Sequence, residues 1–273
     1  GLTHVVIEAT SHGLEQHRVT ACDFDIGIIT NITHEHLDYH GNYDQYVQAK
    51  AALLTSLEIT KAKSQGNYRT AILNKDDTSY KLLHKILKQG KYQSIEVITY
   101  GVNEKADIMS REIHNLDNGL EFILKINDKD YKIQTPLIGE YNAYNIMAAV
   151  SATAISLGLD IGCIMKGIAK LSGVPGRMEK IDMGQEFTTI VDFAHTPNAL
   201  KAALETSRNR TKGRVISVFG SAGLRDRDKR RLMAETSVRM ADISILTAED
   251  PRTESLDAIL AEMKDEAIKH GGI

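Results

Sequence analysis

The chain is poor in cysteine and proline, contains no tryptophan, and has no long apolar run. Its 273 residues include two cysteines and four prolines. Cys22 and Cys163 are far apart in the sequence and lie next to apolar residues, so a disulfide framework is not expected and a reducing cytoplasm is the expected location. No apolar run approaches the roughly 20 residues that cross a bilayer, and no signal peptide is visible, so we expect no membrane partner.

Charge of either sign is also not in excess. The 33 basic and 36 acidic residues leave a net charge of −3. Because nucleic-acid binding requires a basic face, we expect no nucleic-acid partner. The composition, 42% hydrophobic and 25% charged, is that of a globular protein with a sizeable core. The length suits one large or two ordinary domains.

The order of apolar patterns predicts an α/β fold with two domains. Short β-branched runs at residues 4–9 and 24–30 predict buried parallel strands, and residues 107–136 alternate around Asn127-Asp128 in a hairpin pattern. The segment LSGVPGR at residues 171–177 is the best linker. Strand and helix patterns then alternate, which predicts a further parallel sheet covered by helices. We therefore expect one domain over residues 1–175 and a second over residues 176–273.

The segment TNITHEHLDYHG at residues 30–41 follows the second predicted strand and is dense in metal-ligating side chains. These are His34, His36, Asp38 and His40. They resemble the HxHxDH motif of zinc-dependent hydrolases, except that Tyr39 separates Asp38 from His40. A zinc hydrolase is therefore one open reading. Polar residues on a loop before a helix are the ordinary alternative.

The segment EATSHGLEQHR at residues 8–18 follows the first predicted strand. Glu8 ends that strand, where a carboxylate can reach a hard cation such as magnesium. Thr10, Gln16 and Arg18 are donors that suit a phosphorylated or carboxylated ligand. An ordinary turn with surface residues would have the same composition.

Lys50 interrupts a predicted helix whose other residues nearby are Ala, Leu and Val. A lone helical lysine is usually solvated. If it faces a ligand site without its charge, carbon dioxide can convert it to a carbamate, an anionic metal ligand.

Later in the chain, polar residues again follow or precede buried patterns. Asp192 and His195 come at the carboxyl end of a predicted strand, where ligands bind in α/β sheets. A carboxylate there can accept ribose hydroxyls, and Arg177 can neutralise a phosphate.

Eight segments, taken in order, resemble the Mur ligase family and, within it, the UDP-muramoyl-tripeptide synthetases. They are EATSHGLEQHRV, TNITHEHLDYHG, YVQAKAALL, GEYNAYNIMAA, GVPGRME, DFAHTP, RDRDKRRLM and EDPRTE. The resemblance covers nearly the whole chain. It implies a central Mur-ligase domain with a parallel sheet, followed by a partial Rossmann-like domain. It also implies that the uridine-binding domain, the ATP-gripping P-loop and the end of the last domain lie outside this chain, so we expect the chain alone to be inactive.

The resemblance implies an ATP- and Mg²⁺-dependent amide ligase of peptidoglycan synthesis, expected to be a monomer. Its substrates would be UDP-N-acetylmuramoyl-L-alanyl-D-glutamate and an amino acid, either meso-diaminopimelate or L-lysine. A carboxylate of the substrate is phosphorylated, and the amine then attacks the acyl phosphate. A nucleotide-binding remnant without catalysis remains the second alternative beside the zinc hydrolase.

The resemblance also implies a role for each matching residue. The metal ligands would be Glu8, His36 and a carbamylated Lys50. The contacts to the UDP-muramoyl substrate would be Thr10, Gln16 and Arg18. The residues around ATP would be Asn142, Arg177, Asp192 and His195. The amino-acid pocket would use Arg225, Asp250 and Arg252. Lys50 and His195 would act in catalysis. Asp250 stands where the family has Asn, and an anionic side chain there would favour an amino group on the added amino acid.

Overall fold

The structure is a computed structural model that describes residues 2–33, 40–64, 66, 68–224 and 227–272. The chain divides into two compact units. The first comprises Gly1–Leu116, Leu120–Thr135 and Glu140–Leu171, and the second comprises Asp117–Gly119, Pro136–Gly139 and Ser172–Ile273. Within the described ranges, no helix is both long and apolar enough to cross a bilayer. The predicted domain limits at residues 175 and 176 stay a prediction.

The first unit is built on a six-stranded sheet in the order β1-β2-β3-β4-β5-β6. The strands are β1 (Ile26–Ile29), β2 (Thr70–Asn74), β3 (Glu96–Gly101), β4 (Ile108–Leu116), β5 (Gly119–Ile126) and β6 (Lys129–Thr135). The helices are α1 (Ser11–Glu15), α2 (Tyr43–Thr55), α3 (Tyr80–Leu87), α4 (Tyr141–Val150) and α5 (Ile161–Lys170). A 3₁₀ turn, Ser56–Ile59, extends α2, and a π-helix, Ser151–Ser156, extends α4.

Most of the parallel part of this sheet comes from strand–helix–strand units. Strands β1, β2 and β3 pair in parallel, and α2 and α3 supply the two crossovers. The start of β4 also pairs in parallel with β3, through a short connection that contains no helix. Both faces of β2 are buried, and Val47, Leu54 and Leu83 pack with it in one core. The antiparallel part is the β5–β6 hairpin, in which Ile126 pairs with Lys129. Asn127 has φ 53° at its turn, so the predicted hairpin is confirmed.

The predicted strand at residues 4–9 is wrong. No strand forms there, and the side chains of Val5, Val6 and Ile7 are 66%, 99% and 47% exposed. β-branched residues favour a strand only where a neighbouring strand accepts their backbone hydrogen bonds. In the described part of the chain, no strand pairs with this segment. Glu8 consequently lies in an exposed segment and not at the end of a strand.

In its described residues, the second unit contains two small sheets and three helices. The strands are β7 (Glu179–Ile181), β8 (Thr189–Val191), β9 (Ile216–Phe219) and β10 (Ile243–Leu246). The helices are α6 (Pro197–Arg208), α7 (Asp228–Met240) and α8 (Leu256–Lys269). Strands β9 and β10 pair in parallel, as predicted. β8 was expected beside them but pairs antiparallel with β7. Only seven residues separate β7 and β8, so their pairing closes a short loop and has a small entropic cost.

The helices of the second unit pack on the parallel pair through two apolar clusters. One joins Leu200, Leu204 and Met233, and the other joins Ile259 and Met263. The alternate residues of β9 and β10 are more exposed. Ile216 and Val218 are 50% and 61% exposed. The packed face therefore orders the unit and fixes the loops that follow β9 and β10.

Candidate active site

Helix α1 and the residues around it organise the first predicted substrate segment. Thr10 is the N-cap of α1, and its hydroxyl oxygen accepts a hydrogen bond from the Gly13 amide at 3.0 Å. After the helix, the Arg18 guanidinium donates to the Gln16 side-chain oxygen at 2.6 Å. Thr10 therefore lies at the start of the short helix α1, and Gln16 and Arg18 lie just after its end. All three side chains belong to exposed residues, so they are accessible to a ligand.

His40 connects this turn to the rest of the first unit. Its ring is buried, with Nε2 3.0 Å from the Ser11 hydroxyl and Nδ1 3.0 Å from the Glu15 carboxylate. Because a carboxylate only accepts, Nδ1 carries a proton. The ring also stacks on Tyr46 of α2, with centroids 5.2 Å apart. We call Ser11, Glu15, His40 and Tyr46 the histidine cluster. The histidine cluster fixes α1 against α2. The sequence did not predict these contacts, because a contact between residues 29 positions apart leaves no local pattern.

Lys50 lies one helical turn beyond the histidine cluster. It is half-buried on α2, and its Nζ lies 5.3 Å from the centroid of the Tyr46 ring. A cation over an aromatic face is stabilised by the ring quadrupole. Tyr46 thus contacts both the predicted metal-ligating lysine and His40, which holds the predicted substrate segment.

The predicted metal ligands, both those of the magnesium site with Lys50 and those of the alternative zinc site, are only partly described. Glu8 is exposed, whereas His34, His36 and Asp38 lie outside the described residues. Among the residues that the structure describes, no three His, Cys, Asp or Glu side chains gather in a way that would hold a metal ion. The described donors alone therefore do not form a complete magnesium or zinc site.

Asn142 lies in the first turn of α4, and its side-chain oxygen accepts a hydrogen bond from the side-chain NH₂ group of Asn145 at 3.0 Å. Two residues later, Tyr144 donates to Asp76 at 3.0 Å. Asp76 also accepts from the backbone amides of the loop after β3: Val102, Asn103 and Glu104. Burial would raise the pKa of Asp76, but these hydrogen bonds lower it below its usual value. Asp76 thus fixes the start of α4, which carries Asn142.

Three residues predicted around ATP lie together in the second unit. The Asp192 carboxylate accepts from the Met178 amide at 2.7 Å and from the Ala194 amide at 2.8 Å. Its neighbour Phe193 is 60% exposed and carries the Arg177 guanidinium 4.6 Å from its ring centroid. The His195 ring meets the same phenyl ring edge-on, with centroids 4.8 Å apart.

Phe193 was not singled out in the sequence, although it stands inside the DFAHTP motif. An exposed aromatic ring between a guanidinium and an imidazole offers stacking and positive charge at one place. Those two properties fit a purine nucleotide with its phosphates. Asp192 has a structural role here, because both of its oxygens already hold turns of the backbone.

Asp250 and Arg252 lie close together on the loop after β10. The Asp250 carboxylate accepts from the Arg252 backbone amide at 3.2 Å and lies 3.5 Å from the Arg252 Nε. Their side chains are 66% and 34% exposed, so both remain accessible to a ligand. Arg225, the third residue predicted for the amino-acid pocket, lies outside the described residues.

A buried arginine supports this loop. Arg230 of α7 is 0% exposed, and its two terminal nitrogens donate to the Glu254 carboxylate at 2.8 and 2.6 Å. One of them also lies 3.2 Å from Glu262 of α8. The hydrogen bond from Arg230, followed by one from the Leu224 amide, lowers the pKa of Glu254 to about 2. We call Arg230, Glu254 and Glu262 the arginine cluster.

The predicted site residues therefore fall into three described groups. One surrounds α1 and Lys50, one surrounds Phe193, and one lies on the loop after β10. Asn142 belongs to none of them and stands on its own helix. The functional role of each residue stays a prediction.

Two family models match the chain. The Mur ligase middle domain matches residues 1–153, and the Mur ligase glutamate ligase domain matches residues 176–271. Neither these models nor the names of the relatives support a zinc hydrolase.

Curated relatives are similar over almost all of the chain. The UDP-N-acetylmuramoyl-L-alanyl-D-glutamate–2,6-diaminopimelate ligase of Geobacillus thermodenitrificans is 39% identical over 265 residues, which are 97% of this chain and 52% of the relative. The UDP-N-acetylmuramyl-tripeptide synthetase 2 of Oceanobacillus iheyensis is 34% identical over 99% of this chain and 53% of its own length. The chain thus spans about half the length of the relatives it matches.

Solved structures agree with this similarity. A UDP-N-acetylmuramoyl-L-alanyl-D-glutamate–2,6-diaminopimelate ligase, 34% identical, superposes with a TM-score of 0.62 over 94% of this chain and 50% of that one. The Mycobacterium tuberculosis folylpolyglutamate synthase, 20% identical, shares the fold with a TM-score of 0.72 over 90% of this chain and 52% of its own. The predicted α/β fold class and the predicted resemblance are therefore confirmed, and the chain belongs to the Mur ligase family.

Proposed function

We propose that the protein carrying this chain is an ATP-dependent acid–amino-acid ligase that extends UDP-N-acetylmuramoyl-L-alanyl-D-glutamate in peptidoglycan synthesis. The observation that carries the proposal is the similarity, over 97% of the chain, to a diaminopimelate ligase. A cytoplasmic location, a monomeric state and a domain limit at residues 175 and 176 belong to the same proposal.

The reaction has two steps. A carboxylate oxygen of the D-glutamate residue attacks the γ-phosphorus of ATP, and ADP leaves, so that an acyl phosphate forms. The amine of the added amino acid then attacks the acyl carbon and loses a proton, and inorganic phosphate leaves. Each step requires the anionic substrates to be held in line, so we expect the contribution of the protein to be mainly positioning and charge neutralisation.

For the UDP-muramoyl substrate we propose Thr10, Gln16 and Arg18. This assignment is supported by their common position at α1 and their exposure. Arg18 supplies a guanidinium suited to a phosphate or a carboxylate, while Thr10 and Gln16 supply hydrogen bonds. The hydrogen bond between Arg18 and Gln16 orients the guanidinium before the substrate arrives.

For Mg²⁺ we propose Glu8, His36 and a carbamylated Lys50. Bound magnesium would screen the phosphate charges against the attacking carboxylate. The proposal for Lys50 is supported by its half-buried position on α2, one helical turn beyond the histidine cluster that holds the predicted substrate segment. Formation of the carbamate from the Lys50 ammonium would consume one carbon dioxide and release two protons to solvent.

For ATP we propose Asn142, Arg177, Asp192 and His195, with Phe193 as an added contact. The support is the arrangement of Arg177 and His195 on the exposed ring of Phe193. We propose that Asp192 fixes the backbone that carries this ring, and that His195 acts in catalysis beside the nucleotide.

For the added amino acid we propose Arg225, Asp250 and Arg252, and meso-diaminopimelate as the substrate. The names of the relatives favour this choice over L-lysine. Asp250 lies 3.5 Å from Arg252 and so offsets part of its charge. We expect the pair to accept a zwitterionic group, such as the distal amino acid end of diaminopimelate, more readily than a lone cation.

The test is phosphate release by the whole protein with ATP, UDP-N-acetylmuramoyl-L-alanyl-D-glutamate and a panel of diaminopimelate, lysine and ornithine. We expect phosphate release to require both the UDP-muramoyl substrate and an amino acid, and to be fastest with diaminopimelate. Nucleotide binding without any release would indicate the non-catalytic remnant and contradict the ligase.

The role of Lys50 has a separate test. Lys50→Ala should lower the rate by about a hundredfold or more, as expected when a metal-site ligand is removed. Lys81→Ala, on the exposed face of α3, is the matched control and should be neutral. A mass increase of one carbon dioxide on the peptide containing Lys50 would support the carbamate directly, and equal activity of the two variants would exclude it.

A further inference from the structure

Two loops of the second unit meet through backbone contacts. The loop after β9, residues 220–224, approaches the loop after β10, residues 247–255. The Gly223 amide donates to the Asp250 carbonyl at 2.8 Å. A Cβ on Gly223 would overlap the Pro251 carbonyl group, so only glycine allows this approach. The loop bearing Asp250 and Arg252 is thus shaped by its neighbour.

The arginine cluster joins the same two loops a second time. Glu254, at the end of the second loop, accepts from both terminal nitrogens of Arg230 and from the Leu224 amide of the first loop at 3.0 Å. Arg230 also donates to the Ala222 carbonyl at 3.4 Å. One guanidinium therefore contacts both loops, and Glu262 of α8 holds it from a third direction.

This arrangement fixes orientation as well as distance. A guanidinium that bonds both oxygens of a carboxylate sets the plane of the pair, which a lysine ammonium does not. Burying such a pair contributes little net stability compared with apolar residues of similar volume. A buried arginine at this place is therefore better explained by the geometry that it imposes on the loops.

We propose that Arg230, acting through Glu254, is a positioning residue that holds the loop of Asp250 and Arg252 in the conformation that receives the amino acid. Arg230 is fully buried, so it can act on a ligand only through the groups that it holds. The side chains that it orients are exposed, and Arg252 has φ 52°, a conformation that a non-glycine residue keeps only where its surroundings enforce it. This inference rests on the proposed ligase function.

Arg230→Lys in the whole protein tests the proposal, with Arg231→Lys as the matched control. Arg231 is the next residue of α7, is 55% exposed in its side chain and also pairs with Glu262. We expect Arg230→Lys to raise the KM for the amino acid about tenfold, because small misplacements of binding groups have large effects. In Arg230→Lys, the KM values for ATP and for the UDP-muramoyl substrate should stay within about twofold of wild type. In Arg231→Lys, the KM values for all three substrates should stay within the same range.

Glu254→Gln is the second variant and covers the case in which Arg230→Lys fails to fold. It retains the shape but not the charge, and should raise the same KM selectively. If all three KM values change by the same factor, or if none of them changes, the proposal is overturned and Arg230 has only a stabilising role.

A readout that does not depend on turnover separates this proposal from the proposed function. Amide hydrogen exchange at residues 223–224, 250 and 252–254 should be faster in Arg230→Lys than in Arg231→Lys. If the wild-type protein releases no phosphate, the ligase function fails, while faster exchange still supports loop positioning. Equal exchange in the two variants would overturn it whatever the activity.

Discussion

The histidine cluster of the first unit and the arginine cluster of the second do similar work by different means. Each ties together segments that are distant in the sequence, 29 residues apart for His40 and Ser11 and 24 for Arg230 and Glu254. The histidine cluster combines two hydrogen bonds with ring stacking on Tyr46. The arginine cluster buries a permanent cation between two carboxylates.

The difference teaches how each cluster responds to change. An imidazole can be replaced by an apolar ring at the loss of its hydrogen bonds, because part of its contact is already apolar. A buried guanidinium cannot be removed alone, because Glu254 would lose its paired cation, and Glu262 would keep only its exposed partners Arg227 and Arg231. We therefore expect the second unit to be the more sensitive one.

The largest expected effect is that of Arg230→Met. It should lower the free energy of unfolding of the second unit by about 3–5 kcal/mol, the range for breaking a buried ion pair from one side. Urea unfolding of the whole protein, followed by hydrogen exchange in α7, would measure it. Arg231→Met is the control and should change stability by less than about 0.5 kcal/mol.

The second expected effect is that of His40→Leu. It should lower the free energy of unfolding of the first unit by about 1–3 kcal/mol, because Ser11 and Glu15 lose a buried partner. A double-mutant cycle with Ser11→Ala should give a coupling energy of about 1 kcal/mol. If His40→Leu were as severe as Arg230→Met, the contrast between the two clusters would fail.

The third prediction concerns acid. Since the folded state lowers the pKa of Glu254 from 4.5 to about 2, the ionised carboxylate contributes stability that is fully present above about pH 4.5. That contribution is lost as the pH falls from 4.5 toward 2. The stability of wild type should therefore decrease more steeply over this range than that of Glu254→Gln, as measured by urea unfolding at several pH values. Equal dependence of stability on pH in the two proteins would show that Arg230 and the Leu224 amide do not lower the pKa of Glu254.

The smallest expected effect is that of Arg227→Ala. Its guanidinium is 3.3 Å from Glu262, but its side chain is 68% exposed, so water and salt screen the pair. Stability should change by about 0.5 kcal/mol or less, and less again in high salt. A larger change would mean that the arginine cluster extends to the surface.

Local patterns were enough to predict most of the secondary structure. Strand β2 and the turn at Asn127 follow from apolar runs and turn residues, and both are confirmed. Residues 4–9 have the same kind of apolar run and form no strand, because a strand depends on a partner that composition does not specify. Strand β8 was expected in the parallel sheet and found a nearer partner in β7.

Site residues that stand in short sequence motifs could be predicted from the sequence. Residues that reach the site only through tertiary packing could not. Thr10, Arg18, Arg177 and Asp250 stand in quotable motifs. The burial of Arg230 has no such signature, because the charge pattern of α7 is that of a solvated helix. The same holds for the stacking of His40 on Tyr46, which depends on how two helices meet.

The β5–β6 hairpin also bears on the order of folding. Its seven paired positions close around a two-residue turn, so its loop entropy is small. The parallel strands β1, β2 and β3 must instead bring together residues more than twenty positions apart, such as Ile26 and Thr70. Since local contacts form faster than distant ones, we expect the hairpin to be structured early and the parallel pairing to limit the folding rate of the first unit.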